Sequence, residues 1–208
     1  MRSLFSILFG ASTLLVMELA AASGRSPAKV HFARMVALLL FGLLHFYLIW
    51  WGDILTLYAV TGMIAFFFRK LDARSLLLLA VLLFAWTDVP RVLSGPDWTA
   101  RFEAAHAPRA SEDAISDWRE RSRYFEPGPV EIAGDRRTHA SYRNYVRESF
   151  TERLTEPWHA FATLWSETLA LMLLGMAAFR SGFLTGRWSD RAYRRAAIAG
   201  LGLGGAVF

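Results

Sequence analysis

Long apolar stretches separated by charged connections dominate this chain. Six stretches are mainly apolar, at residues 4–22, 35–51, 52–68, 75–93, 161–179 and 192–208. Stretches of this length form helices of roughly 26 to 29 Å, close to the ~30 Å hydrocarbon core of a bilayer. The pattern therefore predicts an all-α, polytopic transmembrane helix bundle of about six spans, the last of them incomplete.

The same pattern divides the chain into three parts. Residues 1–93 are predicted to form a four-span bundle, 94–157 a polar extracytoplasmic segment, and 158–208 a truncated continuation of the bundle. Within the polar segment, residues 141–154 place apolar side chains at helical spacing, which favours an interfacial or capping helix. The first stretch also resembles a signal peptide, but it is longer than a usual signal core and further apolar stretches follow.

The distribution of basic residues predicts an orientation. Bases are concentrated in three short connections, at residues 25–34, 69–74 and 180–195. The turn at 51–53 carries none. Because short cytoplasmic loops are enriched in Lys and Arg, the three basic connections are expected in the cytoplasm of a multi-pass protein of the bacterial plasma (inner) membrane. Alternation then places Met1 outside, so we expect a longer parent with one more span before Arg2.

Composition narrows the chemistry. The chain has 208 residues, 54% of them hydrophobic, a net charge of +5 and no Cys. The absence of Cys excludes disulfides, thiolate metal sites and a Cys nucleophile. The bases are spread over several connections, so the lipid bilayer rather than nucleic acid is the expected partner. His31, His106 and His139 are predicted to lie in loops without metal-ligand spacing, and neither a metal nor a resident cofactor is expected.

Two residues beside the turn at 51–53 are the leading catalytic candidates. His45 lies six residues before Trp51, about 9 Å along a helix, and its imidazole can exchange a proton near neutral pH. Asp53 opens the next helix, where the dipole favours a carboxylate and where it can also act as a cap. We expect the hairpin to bring the two within reach of a shared water. The alternative is that His45 only bonds a neighbouring helix and Asp53 is only a cap.

Other ionisable groups inside apolar stretches are further candidates, because burying charge in a membrane is costly and often functional. Glu167 is the third catalytic candidate, since its depth resembles that of His45 and the two could line one outer cavity. Tyr58 and Arg91 are assigned to substrate binding, although Arg91 is also spaced to pair with Asp88. Glu18 is expected to pair with Arg25 or Arg34.

Several segments resemble a bacterial membrane protein family. Residues 4–11, LFSILFGA, are similar to the LFSLLFG signature of the YeiB-type proteins. Residues 41–45, FGLLH, followed by WGDIL at 51–55, resemble the hairpin of that family. Residues 174–183 are similar to a third family stretch. The order and spacing agree through nearly all of the chain, but the family's opening span with its Asp-x-x-Arg-Gly motif is absent.

This resemblance implies a function. The YeiB-type family is similar to transmembrane acyltransferases such as heparan-α-glucosaminide N-acetyltransferase and the acyltransferase 3 proteins. Those move an acyl group from cytoplasmic acyl-CoA to an acceptor, often a sugar, on the other side. Their key residues lie near the opening span, so only His45, Gly52 and Asp53 carry over, and only as motif positions.

On the acyltransferase hypothesis, His45 acts as a base or positions a donor, and Asp53 orients it. The basic cytoplasmic loops, especially Arg25, Lys29 and Arg34, would attract the phosphates of acyl-CoA, a co-substrate rather than a cofactor. The same three bases are also explained by topology alone. Two further hypotheses remain open: a proton-coupled transporter that uses Glu18, His45 and Glu167, and a structural or assembly protein without turnover.

Overall fold

A computed structural model describes residues 2–93, 98–122 and 127–205 of the chain. Within these ranges the regular structure is helical and no strand is present, which confirms the all-α prediction. The helices are α1 Arg2–Ala22, α2 Pro27–Leu48, α3 Leu55–Ala65 with a 3-10 turn at Phe66–Phe68, α4 Ala73–Leu93, α5 Trp98–His106, α6 Glu112–Ser122, α7 Pro129–His139, α8 Tyr142–Thr151, α9 Glu156–Arg180 and α10 Asp190–Gly205.

Three of these helices, α1, α2 and α9, are long and apolar enough to cross a membrane. This is consistent with a membrane protein but does not establish six spans. The predicted third and fourth spans correspond to shorter apolar helices, Leu55–Phe68 and Ala73–Thr87. The third is short because the turn takes up the first residues of the predicted stretch. The predicted sixth span corresponds to α10, which does not meet the same criteria within the described residues.

The start of α2 differs from the prediction. The helix begins at Pro27, with the Ser26 hydroxyl accepting a hydrogen bond from the Lys29 amide. A Ser cap followed by Pro at the first helical position is a strong start signal. Lys29 and Arg34 therefore lie on the first turns of α2, and only Arg25 remains in the connection.

Helix α9 is the centre of the bundle and packs against α1, α3 and α4. The crossing of α1 and α9 depends on two glycines. A Cβ added at Gly10 would lie 2.0 Å from the Met172 carbonyl oxygen, and one at Gly175 would lie 1.8 Å from the Ile7 carbonyl oxygen. The two backbones touch at this point, so no other residue fits there without moving a helix.

Helices α2 and α3 form a hairpin whose backbones also approach closely. A Cβ at Gly42 would lie 2.6 Å from the Thr56 amide nitrogen. At the other end, the buried His31 ring bonds the Gly62 carbonyl at 3.0 Å through Nε2 and stacks on Phe66. The prediction that His31 lies in a loop is wrong, because Ser26 and Pro27 start the helix several residues before it. It is also wrong for His106 and His139, which are the last residues of α5 and α7.

The polar segment contains two helix pairs, α5 with α6 and α7 with α8. The helix expected within 141–154 is present as α8, and it packs on the C-terminal end of α2. There the Tyr145 hydroxyl donates to the Phe46 carbonyl at 3.1 Å, and the Tyr47 hydroxyl donates to the Leu154 carbonyl at 2.7 Å. Helix α8 is thus attached beside the turn that carries the leading candidate residues.

Candidate functional site

The turn between α2 and α3 is built by local hydrogen bonds. The His45 carbonyl accepts from the Ile49 amide at 2.9 Å and from the Trp50 amide at 2.8 Å, which ends α2. Position 52 has to be glycine, because a Cβ there would lie 2.4 Å from the Trp50 ring. The chain therefore folds back within a few residues and brings Asp53 towards the last turn of α2.

His45 and Asp53 are in direct contact at this turn. Nδ1 of His45 lies 3.0 Å from Oδ1 of Asp53. The second carboxylate oxygen of Asp53 accepts from the Thr56 amide at 3.1 Å, so Asp53 also caps the start of α3. The Asp53 side chain is only 2% exposed. A single buried carboxylate thus fixes both the first turn of α3 and the orientation of the imidazole, without the shared water that we expected.

The outer nitrogen of the ring is free. Nε2 of His45 has no hydrogen-bond partner within the described residues, and the side chain is 32% exposed. The Trp50 ring meets the imidazole edge to face, with 6.3 Å between the centroids. Because the Asp53 carboxylate can only accept, it favours the tautomer with the proton on Nδ1. That tautomer leaves a lone pair on Nε2, which is the arrangement that a general base requires.

A second polar cluster, formed by Arg2, Ser6, Tyr58 and Glu167, lies between α1, α3 and α9. One Arg2 nitrogen is 2.7 Å from both carboxylate oxygens of Glu167. The Tyr58 hydroxyl is 2.7 Å from the Ser6 hydroxyl and donates to the Arg2 carbonyl at 3.3 Å. The charged and hydroxyl groups of this cluster are therefore partnered within it.

This cluster contains two residues that the sequence assigned to function. Glu167 pairs with Arg2, and no hydrogen bond in the described residues connects it to His45. The Tyr58 side chain is fully buried, with its ring against Phe5 and Phe9. The catalytic role of Glu167 and the substrate contact of Tyr58 stay predictions.

The remaining candidates are dispersed. Arg25, Lys29 and Arg34 are exposed and form no ion pair within the described ranges. The expected pairing of Glu18 with Arg25 or Arg34 is absent, since Glu18 is exposed and makes no such bond. The side chains of Asp88 and Arg91 lie outside the described residues. Among the described side chains, no group of three or more metal-ligating residues is gathered.

Two hydrogen-bond partners of the candidate residues were not predicted from the sequence: the Thr56 amide, which bonds Asp53, and Arg2, which bonds Glu167. The Thr56 amide could have been anticipated, because Asp at one position and a helical amide three residues later is the spacing of a cap. Arg2 could not, since its pairing with Glu167 joins residues 165 positions apart in the chain. Nothing local to either residue indicates that contact.

Comparison with known proteins gives one partial relationship and no function. No family model matches the chain, and no solved structure matches it. The chain is 43% identical over 94 residues to the uncharacterized protein YxaH of Bacillus subtilis (strain 168). The match covers 45% of this chain and 23% of that protein. The chain thus spans less than a quarter of the relative's length.

Proposed function

We propose that this chain is part of a multi-pass protein of the bacterial plasma membrane that acts as a transmembrane acyltransferase. It would move an acyl group from cytoplasmic acyl-CoA to a hydroxyl-bearing acceptor on the outer side. The observation that carries the proposal is the contact between His45 and Asp53, which leaves Nε2 free in a partly exposed position. The resemblance of residues 4–11, 41–55 and 174–183 to YeiB-type proteins supports the same class.

The chemistry assigned to His45 is proton transfer. Nε2 takes the proton from the acceptor hydroxyl while that oxygen forms a bond to the carbonyl carbon of the acyl thioester. The carbon–sulfur bond breaks, CoA leaves as the thiolate, and the imidazolium returns its proton to the sulfur. Asp53 holds the ring through Nδ1 and stabilises the imidazolium while it exists. Arg25, Lys29 and Arg34 would bind the CoA phosphates on the cytoplasmic side.

The test is acyl transfer from labelled acyl-CoA by the full-length protein in vesicles. The His45→Asn variant is the sharpest, because its amide can still donate to Asp53 while the Nε2 lone pair is removed. His159→Asn is the matched control, since His159 is also exposed but makes no side-chain hydrogen bond in the described structure. We expect transfer by the wild type and the control, and a loss of about 10²- to 10⁴-fold in His45→Asn. Absence of transfer and of CoA binding in the wild type would contradict the proposal.

A proton-coupled transporter is the second candidate. It is favoured by buried hydroxyls of Thr61 and Thr168 that have no hydrogen-bond partner among the described residues. Such groups on α3 and α9 would line a polar path that also includes Glu167. Proton-coupled uptake into proteoliposomes that is abolished in Thr168→Val, with no acyl transfer in the wild type, would favour this candidate over the transferase.

A further inference from the structure

A large open cleft lies between α7 and α8 and reaches the turn that carries the candidate site. Its volume is about 1060 Å³, and Trp51 of the turn forms part of its wall. The cleft is therefore larger than a single small anion requires and slightly exceeds the usual upper size of ligand pockets, about 1,000 Å³.

The charges in this cleft are unequally partnered. The carboxylate of Asp135 lies 3.3 Å from Nδ1 of His139, a contact that offsets its charge only when the imidazole is protonated. The carboxylate of Glu148 lies 3.2 Å from a nitrogen of Arg153. By contrast, three guanidinium groups that line the cleft form no ion pair in the described ranges: those of Arg136, Arg137 and Arg147. Glu152 is the one lining carboxylate left without an ion pair among those ranges. Three unpaired guanidinium groups therefore stand against at most two uncompensated carboxylates, Asp135 and Glu152, so the cleft keeps a surplus of positive charge.

The cleft is fixed next to the candidate site. The Arg153 guanidinium lies 3.5 Å from the centre of the Trp51 ring, and Trp51 directly follows Trp50, whose ring meets His45. Helix α8 is held to α2 by the Tyr145 hydroxyl. This phenol is a donor at neutral pH, and burial raises its pKa further above the ordinary value of 10.0. A molecule bound between α7 and α8 would therefore be held beside the His45 turn.

We propose that this cleft binds an anionic saccharide, a sugar that carries a phosphate or carboxylate group, as the acyl acceptor. This inference rests on the proposed function. Guanidinium groups form paired hydrogen bonds with phosphate and carboxylate oxygens. The size of the cleft and the neutral polar side chains of Asn144 and Thr151 in its wall suit the sugar that carries the anion. The sugar also supplies the hydroxyl that acyl transfer needs.

The test measures binding to the full-length protein in neutral-lipid nanodiscs by calorimetry, with no acyl donor present. The probes are glucose 6-phosphate, glucuronate, neutral glucose and inorganic phosphate. The variants are the double change Arg136→Gln with Arg147→Gln, and Arg143→Gln as the matched control. Arg143 is an exposed arginine on the same helix as Arg147 but does not line the cleft. Thermal unfolding of each variant shows that it is folded.

We expect glucose 6-phosphate or glucuronate to bind the wild type, at least about tenfold more weakly to the double variant, and unchanged to Arg143→Gln. Equal affinity in the wild type and the double variant, an equal loss in Arg143→Gln, or inorganic phosphate binding as tightly as the sugar phosphate would overturn the proposal. Cleft-dependent binding of the sugar anion without acyl transfer would support the saccharide site and count against the proposed function. Equal transfer to neutral glucose by the wild type and the double variant would support the proposed function and count against the saccharide site.

Discussion

The two polar clusters of the bundle differ in how completely their groups are partnered. In the cluster of Arg2, Ser6, Tyr58 and Glu167, each of these groups is bonded to another member. At the turn between α2 and α3, both carboxylate oxygens of Asp53 accept hydrogen bonds, but one ring nitrogen of the partly exposed His45 has no partner in the part of the chain that the structure describes. A closed set of hydrogen bonds stabilises a fold, whereas a fixed ring with a free lone pair can act on another molecule.

This difference separates charged residues that the sequence grouped together. Glu167 lies in the closed cluster between α1, α3 and α9, and His45 and Asp53 form the open one. Three substitutions test this separation, beginning with the crossing of α1 and α9, and a fourth tests a helix cap outside both clusters.

The crossing of α1 and α9 is expected to be the most sensitive position. Gly10→Ala places a Cβ 2.0 Å from a backbone oxygen of α9, so the helices must separate and the Arg2–Glu167 pair is lost with them. We expect the free energy of unfolding to fall by about 3 kcal/mol or more. Thermal unfolding in detergent measures it, with Gly134→Ala as control, because nothing lies within 4 Å of that added Cβ. Equal stability of the two variants would contradict the close approach.

Asp53→Asn should separate capping from orientation of the imidazole. The amide oxygen of Asn can still accept from Thr56 and cap α3. Asn has one acceptor and one donor group where Asp has two acceptors, so its donor nitrogen faces either the Thr56 amide or Nδ1 of His45. The imidazole tautomer is then no longer fixed. We expect acyl transfer in vesicles to fall by about 10²-fold or more. Asp72→Asn is the control, since Asp72 also caps a helix but holds no histidine. If both variants lose transfer equally, the histidine contact has no special role.

Tyr58→Phe should have a smaller effect, and on stability alone. The change removes the hydrogen bond to Ser6 and the longer one to the Arg2 carbonyl, but leaves the Ser6 hydroxyl donating to that carbonyl at 3.0 Å. We expect a loss of about 1 kcal/mol in the free energy of unfolding, measured in denaturant, and unchanged acyl transfer. A loss of transfer at unchanged stability would instead place Tyr58 in the functional site.

The smallest effect is expected at Asp72, through pH. A hydrogen bond from the Ser75 hydroxyl lowers the pKa of Asp72 below its ordinary value of 3.8, and the amides of Arg74 and Ser75 add to this. The folded state thus binds the proton less readily than the unfolded state, so this contribution to stability is present above about pH 4 and is lost as the pH falls through the folded pKa. The stability difference between wild type and Asp72→Asn should therefore shrink on acidification. A constant difference from about pH 7 to pH 3 would contradict this.

Local signals in the sequence determined much of the architecture. Apolar stretches predicted helices because burying apolar side chains is favourable wherever it occurs, and the spacing in 141–154 predicted α8. Boundaries were less certain where a cap decided them: Ser26 starts α2 before the apolar stretch begins, and the turn at Asp53 shortens α3.

The sequence by itself determined that the chain is helical with long apolar stretches, and that His45 and Asp53 flank one tight turn. It predicted about six spans, whereas the structure has three helices that are long and apolar enough for a bilayer within the described residues. These properties depend on composition and on residues close together in the chain. Only the tertiary structure decided that Arg2 pairs with Glu167 and that Tyr58 is buried. It also decided that α7 and α8 form an arginine-lined cleft beside Trp51. Contacts between distant residues depend on how whole helices pack, and no local pattern encodes that choice.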